Sequence, residues 1–482
     1  MGTQKTGGAV RVEGAEFFVR MLRTRLPFRY GITEMTEVPH LWVRARVRVG
    51  GRAVVGYAGD HLPPKWFTKN PGTSFEEDLA GMRRSIGAAF GSAVEAGQAE
   101  SVFALWQRVY EGQHRWAAGI GMEALLAGFG VSLVERVCID AVCRDSGRPF
   151  GTVLREGGLG LRVEEVHPVL AGVRLGDFLP EKPVRSMFVR HTVGMGDRLR
   201  GGGGDPGRPV SLESNVERYG LSFFKVKLGG NPEPDLDRVR EVWEVVRGAV
   251  VSRKEGGLSL DGNESYRSVA EFRGFWEGVK ALDPELSRRV LWVEQPFGRG
   301  SALSEETRSG LRAWPDRPGM IIDESDGAVG DLPRALECGY SGVSHKNCKG
   351  VFRSVANAAL LELFRREGAL RRPVLSAEDL CTVGPYALLQ DLAVASTLGV
   401  RHIERNGHHY FPGLAPFPDS MQRGIEQLHP DLFGRENTPY PALRVVGGRV
   451  SVESVVEAPF GTGYQPDCEA LAGFRLEDWP AD

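Results

Sequence analysis

Two periodicities divide the chain. Between residues 15 and 60, apolar and polar positions alternate, most clearly over residues 41–49 (Leu-Trp-Val-Arg-Ala-Arg-Val-Arg-Val), which run into Gly50-Gly51. A period of two predicts two or three antiparallel strands with one face buried and the other wet. Ser74-Phe75-Glu76-Glu77 then has capping-box spacing and predicts a helix to about Glu95, and helical periodicity returns at 101–112 and 121–145. Strands followed by helices make the first third an α+β unit. Residues 61–70, between these parts, form a loop with Lys65, Trp66 and Lys69, either a lid over a substrate or a surface loop packing its own tryptophan.

From about residue 184 the pattern becomes a repeat of short apolar run, polar strand end and amphipathic helix. The runs fall at 185–190, 222–228, 257–262, 290–295, 319–324, 342–347, 373–378 and 401–405. Ser268-Val269-Ala270-Glu271 repeats the capping-box spacing, and Asp331-Leu332-Pro333 supplies a cap with proline in the first turn. Residues 382–398 read as one long apolar-periodic helix closed by Gly399. Strand–helix units of about 30 residues each have the spacing of a closed parallel α/β barrel rather than of an open sheet. The last part, from about residue 412, is rich in Pro and Gly, with one short strand pair near 443–452. The sequence thus divides into an α+β domain (1–180), a barrel (181–411) and a segment (412–482) expected to pack back on the first domain.

Composition narrows the function classes. With 482 residues, 41% hydrophobic and 25% charged, the chain can bury a large core in more than one domain. A net charge of -2 with both signs interspersed points away from nucleic acid and anionic membranes as partners. Residues 1–8 contain no apolar run for export, and no later segment is apolar for long enough to span a bilayer, so a cytoplasmic protein is expected. Six cysteines without a Cys-x-x-Cys pair predict buried thiols rather than a disulfide framework or zinc cluster. The four glycines at 201–204 lack the Gly-Lys-Ser/Thr ending of a phosphate loop.

Chemistry concentrates at the barrel strand ends, where such folds carry their active sites. Strand two holds Lys225-Val226-Lys227, whose lysines point to one side because side chains alternate along a strand. Two buried ammonium groups side by side require facing negative charge or the loss of a proton. Strand three ends in Asp261-Gly262-Asn263, strand four in Glu294-Gln295-Pro296, strand five in Asp323-Glu324-Ser325 and strand six in His345-Lys346-Asn347. Any one of these acids alone would read as a helix cap or loop salt bridge. Together Asp261, Glu294 and Asp323 offer oxygen ligands from three adjacent strands, which suits a hard divalent cation such as Mg²⁺.

This set of motifs, with Lys346-Asn347-Cys348-Lys349-Gly350, resembles the enolase superfamily, in its mandelate racemase/muconate lactonizing enzyme-like branch and the muconate lactonizing enzyme subgroup. The resemblance covers nearly the whole chain. It implies a capping domain on a (β/α)₇β TIM-like barrel, Mg²⁺ on Asp261, Glu294 and Asp323, and capping loops near 30–37 and 61–70 closing over a small-molecule carboxylate. It also implies abstraction of the proton α to that carboxylate, giving an enediolate. Lys227 would be the base and Lys225 the cation contacting the carboxylate; Lys346 would stand on the opposite face of the α-carbon, and Glu404 would hydrogen-bond the intermediate. Asn263, Lys65 and Trp66 are the candidates for substrate contact.

Departures from the family's pattern bear on the reaction. Strand seven ends in Ser376-Ala377-Glu378-Asp379, without the histidine of the racemase branch, and Glu404-Arg405-Asn406 lacks the paired aspartates of the dipeptide epimerases. A histidine base and an α-ammonium substrate are therefore not expected. His408 and His409 read as surface residues or a general acid, and His345 as a packed residue. Two opposed lysines permit racemisation, epimerisation or cycloisomerisation, and equally an acid-sugar dehydration. A non-catalytic metal- or ligand-binding barrel is the alternative from another class. A homo-oligomer is expected from the resemblance alone, and the insertions near 101–145 and 193–215 carry no assigned role.

Overall fold

The computed structural model describes residues 8–201, 208–436 and 438–466. Residues 202–204 of the glycine run and Cys468 therefore lie outside the described residues. An antiparallel sheet opens the chain, with β1 (Val10–Tyr30), β2 (Thr33–Val49) and β3 (Arg52–His61) in sequential order. The alternation read at 41–49 becomes buried Leu41, Val43, Ala45 and Val47, with Arg46 and Arg48 outward. Three helices cover this sheet: α1 (Phe75–Glu95), α2 (Val102–Gly119) and α3 (Ala124–Ser146). The Ser74 capping box is formed in both directions, Ser74 Oγ accepting from the Glu77 amide and Glu77 from the Ser74 amide. The middle helix runs past the expected residue 112 because its apolar face continues to Ala117.

The third helix is buried on nearly every side. It comes close because Gly56 of β3 and its own Gly130 have no side chain. A Cβ at these positions would sit 2.0 Å from the Val137 carbonyl oxygen and 2.3 Å from that of Ser85. On its far side this helix meets the barrel. Glu135 accepts from the amides of Val351 and Phe352 (2.8 and 2.6 Å), satisfying the first turn of the helix Val351–Arg366. The capping domain thereby grips the chain immediately after Lys346 to Lys349.

All eight predicted barrel strands are present: β4 (Ser186–Val193), β5 (Phe223–Lys227), β6 (Gly257–Asp261), β7 (Val290–Glu294), β8 (Met320–Ile322), β9 (Gly342–His345), β10 (Val374–Ala377) and β11 (His402–Glu404). They pair in parallel, in order, and β11 returns to β4, closing the barrel. Two helix starts differ from the sequence expectation. Gly330, not Asp331, is the N-cap of the helix Asp331–Cys338, and the Asp331 carboxylate instead accepts from the Gly327 and Ala328 amides. The helix expected from 382 begins at Tyr386, since Thr382 is tied to Asp379 and Pro385 offers no amide hydrogen.

Beyond the barrel, the strand Arg449–Ser451 pairs antiparallel with β4 at residues 186–188, while Ala442–Leu443 pairs with Phe433–Gly434. The pair expected near 443–452 is thus split between two partners. The following residues reach the capping domain, where Phe150 donates its amide to the Pro459 carbonyl and Arg144 donates to Thr462. Among the described residues no helix is long and apolar enough to cross a membrane, and five cysteines are buried free thiols.

Candidate active site

Strand register brings the ionisable residues to one level. Lys227 is paired with Asp261, and Asp261 with Glu294, across β5, β6 and β7. Phe224 and Val226 face outward into the helix layer and are fully buried there, so Lys225 and Lys227 both enter the barrel. Lys225 Nζ lies 3.0 Å from Asp261, 2.9 Å from Glu294, 2.9 Å from Glu378 and 2.8 Å from Glu404. Lys227 Nζ has one carboxylate partner, Asp261 Oδ2 at 2.6 Å. On the opposite side, four strands away, Lys346 Nζ contacts both oxygens of Asp323 (2.7 and 2.8 Å) and Glu378 Oε2 at 2.8 Å. The negative charge that the lysine pair required is present, and it comes from the ends of four strands.

The electrostatics follow from burial and from these neighbours. Burial disfavours charge on Lys225, but Asp261, Glu294, Glu378 and Glu404 together hold its ammonium well above the usual lysine range. Lys346 is raised in the same way, against burial, by Asp323, Glu378 and Glu294. Burial would also raise Asp261 and Asp323, yet the lysines beside them hold both below the ordinary carboxylate range. Glu294 differs: burial and the adjacent Asp261 and Glu378 push its carboxyl well above that range.

Three residues that sequence reasoning did not assign complete the network. Glu378 at the end of β10 bridges Lys225 and Lys346 through Oε2, and through Oε1 it accepts from Arg190 (2.9 Å) and Ser376 (2.5 Å). Arg190 lies within β4, stacked over Trp292 at 4.7 Å. Lys349 reaches Asp323 Oδ1 at 2.8 Å. The signal for Glu378 was its place at a strand end; Lys349 stood inside the Lys346 to Gly350 motif without a role of its own, and Arg190 closed the predicted run 185–190.

The metal expectation can be tested on the donor set. Glu294, Asp323 and Glu378 each offer a carboxylate oxygen within 4.8 Å of the others. Glu294 is fully buried, with Oε2 2.9 Å from Lys225 Nζ. An all-oxygen set of buried carboxylates fits a hard cation such as Mg²⁺. The grouping differs from the expected one in its third member: Asp261 is turned to the two lysines, and Glu378 stands beside Glu294 and Asp323.

Gln295 fixes this rim. It sits at φ 34°, a left-handed conformation that non-glycine residues seldom adopt. Its Oε1 accepts from the Asp323 and Ser325 amides (2.8 and 3.1 Å), and Nε2 donates to the Phe297 carbonyl and to Ser325 Oγ. Gln295→Ala would leave those buried amides without acceptors and should lower the unfolding free energy by about 2–4 kcal/mol. A urea titration with an unchanged midpoint and slope would contradict this.

A partly open cavity with an empty volume of ≈ 440 Å³ lies against the network. Lys225, Lys227, Asp323, Lys346 and Glu404 form its floor; Phe28, Tyr30, Met35, Pro63 and Trp66 of the capping domain form its roof. Trp66 lies over Lys346, with Nζ 5.3 Å from a ring centroid. The other predicted site residues lie elsewhere. Lys65 turns away to Asp78 at 3.0 Å and to Thr73, because α1 presents Asp78 to the loop. Asn263 donates its amide to Asp261 Oδ1 and its side chain to Glu324, outside the cavity lining. His408 and His409 are not surface residues; they pack in the protein with His191 and do not line the cavity. His345 is packed, as expected, with Nδ1 2.7 Å from Ser354 Oγ.

No protein-family model and no curated protein matches the chain. Solved structures do. The muconate lactonizing enzyme from Pseudomonas fluorescens, complexed with muconolactone, is similar over 96% of this chain and 99% of its own, at 16% identity and TM-score 0.59. The N-succinyl Arg/Lys racemase from Bacillus cereus covers 97% and 98% at 14% identity and TM-score 0.59. The dipeptide epimerase from Cytophaga hutchinsonii, complexed with Mg and a dipeptide, covers 96% and 98% at 13% identity and TM-score 0.59. The chain has the fold of these proteins, capping domain and barrel together.

Proposed function

We propose that this chain is an enzyme of the enolase superfamily, mandelate racemase/muconate lactonizing enzyme-like, that removes the proton α to the carboxylate of a small-molecule substrate. The observation that carries this is the placement of Lys227 and Lys346 on strands four apart, entering one cavity from opposite sides with a carboxylate cluster between them. Glu294 and Asp323, with Asp261 or Glu378 as third ligand, would hold Mg²⁺, which would supply Lewis-acid stabilisation of charge on the substrate carboxylate.

The chain's own residues do the rest. Lys227, engaged by one carboxylate on its Asp261 side, takes the α-proton as general base. Lys225, surrounded by four carboxylates, stays charged and attracts the developing negative charge. Lys346 faces the other side of the same carbon, where it delivers or stabilises a proton. Glu404, oriented by Thr192 Oγ1 at 2.6 Å and Asn406 Nδ2 at 2.9 Å, completes the floor. The roof excludes water from the charged intermediate. Racemisation, epimerisation and cycloisomerisation use the two opposed lysines directly, and dehydration is the second reading, with Lys346 as proton donor to the leaving hydroxyl. The same reading places the enzyme in the cytoplasm as a homo-oligomer, with neither nucleic acid nor membrane as partner.

The decisive experiment is deuterium uptake at the α-carbon of carboxylic acids in D₂O with Mg²⁺, followed by proton NMR. No uptake across a broad set would reject proton abstraction. Metal binding is tested separately by calorimetry. Changes to groups behind a ligand commonly weaken metal by ~10–100-fold, so Asp323→Asn should weaken Mg²⁺ by at least as much. Unchanged affinity would remove Asp323 from the ligand set.

A further inference from the structure

The floor and roof of the cavity differ in chemistry, and the difference bears on the substrate. All the ionised side chains that line it belong to the barrel strand ends and the loops behind them. The roof presents three aromatic rings, Phe28, Tyr30 and Trp66, the last over Lys346, with Met35 and Pro63, and Leu380 and Cys381 extend this wall from the barrel side. All of these are buried, so a substrate group placed among them loses its water.

The polar groups near the roof are already engaged within the protein. Tyr30 donates its hydroxyl to the Pro64 carbonyl at 2.8 Å. Lys65 is held by Asp78 and Thr73, and Lys69 by the Asn263 carbonyl. Asp379, the acid on the wall, accepts from the Cys381 and Thr382 amides (both 3.0 Å) and from Arg405. Asn406 spends its side chain on Glu404 and on the Thr192 amide. Among the described residues no Arg or Lys lines the roof.

We infer that the substrate is a monocarboxylate whose remaining substituent is apolar, an aryl- or alkyl-substituted acid. A polyhydroxylated acid would bury hydroxyls against carbon with no partner, and a second carboxylate would be an unpaired buried charge beneath the aromatic roof. An ammonium group would find Asp379 engaged by Arg405 and by two amides, and Asp323 and Glu404 already paired with lysines. The inference rests on the proton-abstraction reading for the carboxylate end and on the roof for the other end.

Four probes separate the two. Calorimetry with Mg²⁺ present would compare 2-phenylpropanoate with phenylsuccinate, which adds a second carboxylate, with 2-phenylglycine, which adds an ammonium, and with gluconate, which replaces the ring by hydroxyls. The Kd for 2-phenylpropanoate should be at least tenfold lower than for each of the others. Equal or tighter binding of any of the other three, or binding of none, overturns the inference. Deuterium uptake on the same samples reports on the lysines independently: a tightly bound phenylpropanoate that exchanges no α-proton rejects the abstraction reading and leaves the substrate class standing. Met35→Arg, placing a guanidinium in the roof, should reverse the preference towards phenylsuccinate by at least tenfold, with circular dichroism reporting its fold. An unchanged preference in a folded Met35→Arg protein also overturns the inference.

Discussion

Lys227→Ala should lower kcat for α-proton exchange by ~10²–10⁴-fold, the usual contribution of a general base. Mg²⁺ affinity should fall far less than kcat, because Lys227 contacts neither Glu294 nor Asp323 and touches only Asp261 of the two candidate third ligands. The contrast with Lys225 makes the test specific. Lys225 touches four carboxylates, so its removal should disturb metal binding and KM together with kcat. Lys346→Ala should abolish exchange from one enantiomer of a chiral acid while leaving exchange from the other, since the two lysines face opposite sides of one carbon. Full exchange by Lys227→Ala with both enantiomers would remove it as the base.

The second large effect concerns stability. Glu378→Ala should cost about 3–5 kcal/mol in EDTA, the usual consequence of taking one member from a buried ion network. Its loss leaves Arg190, Lys225 and Lys346 each one carboxylate short, with all three side chains nearly inaccessible to water. The sign with pH follows. Burial raises the Glu378 carboxyl, but Lys225, Lys346 and Arg190 outweigh it and hold it well below the ordinary range. Its contribution is therefore fully present above the unfolded carboxylate value and is lost as pH falls towards the depressed folded one. Guanidinium unfolding of parent and Glu378→Ala proteins at pH 7 and at pH 4 should show the difference shrinking at the lower pH only if that folded value is approached. A Glu378→Ala protein as stable as its parent at pH 7 would show that the lysines are balanced without it.

Much of this was legible in the sequence, for physical reasons. Strands buried on both faces are short apolar runs between helices of amphipathic period, so all eight could be placed. The end of each run is where polarity begins, which exposed Lys225, Lys227, Asp261, Glu294, Asp323, Lys346 and Glu404. What could not be read was direction and partnership. Lys65 and Trp66 are neighbours in one loop, yet Trp66 roofs the cavity while Lys65 is drawn away by Asp78, thirteen positions on and on a different element. Glu378 stood at a strand end like the other acids, but only closure of the barrel shows that it lies between two lysines that are over a hundred residues apart in sequence. Arg190 precedes the end of its strand, where a charged residue has no reading until the acid opposite is known. Asp261 joined the acid cluster by strand order, and its orientation towards the lysines depended on their side-chain reach.

The strand Arg449–Ser451 has a consequence for how the chain reaches this state. The seam between β11 and β4 is paired at three positions, from Phe188 to Arg190, and the late strand pairs with residues 186–188 on the other edge of β4, below the start of its pairing with β5. During synthesis the eight parallel strands are complete once Glu404 has emerged, yet the lower half of the first strand then still shows an open edge, a template for unwanted pairing. That edge is covered some 45 residues later, when the late strand pairs with it. A nascent chain halted between those two points would hold every ionisable residue of the cavity and still be prone to aggregate, so the interval between Glu404 and Ser451 is where a chaperone would be needed.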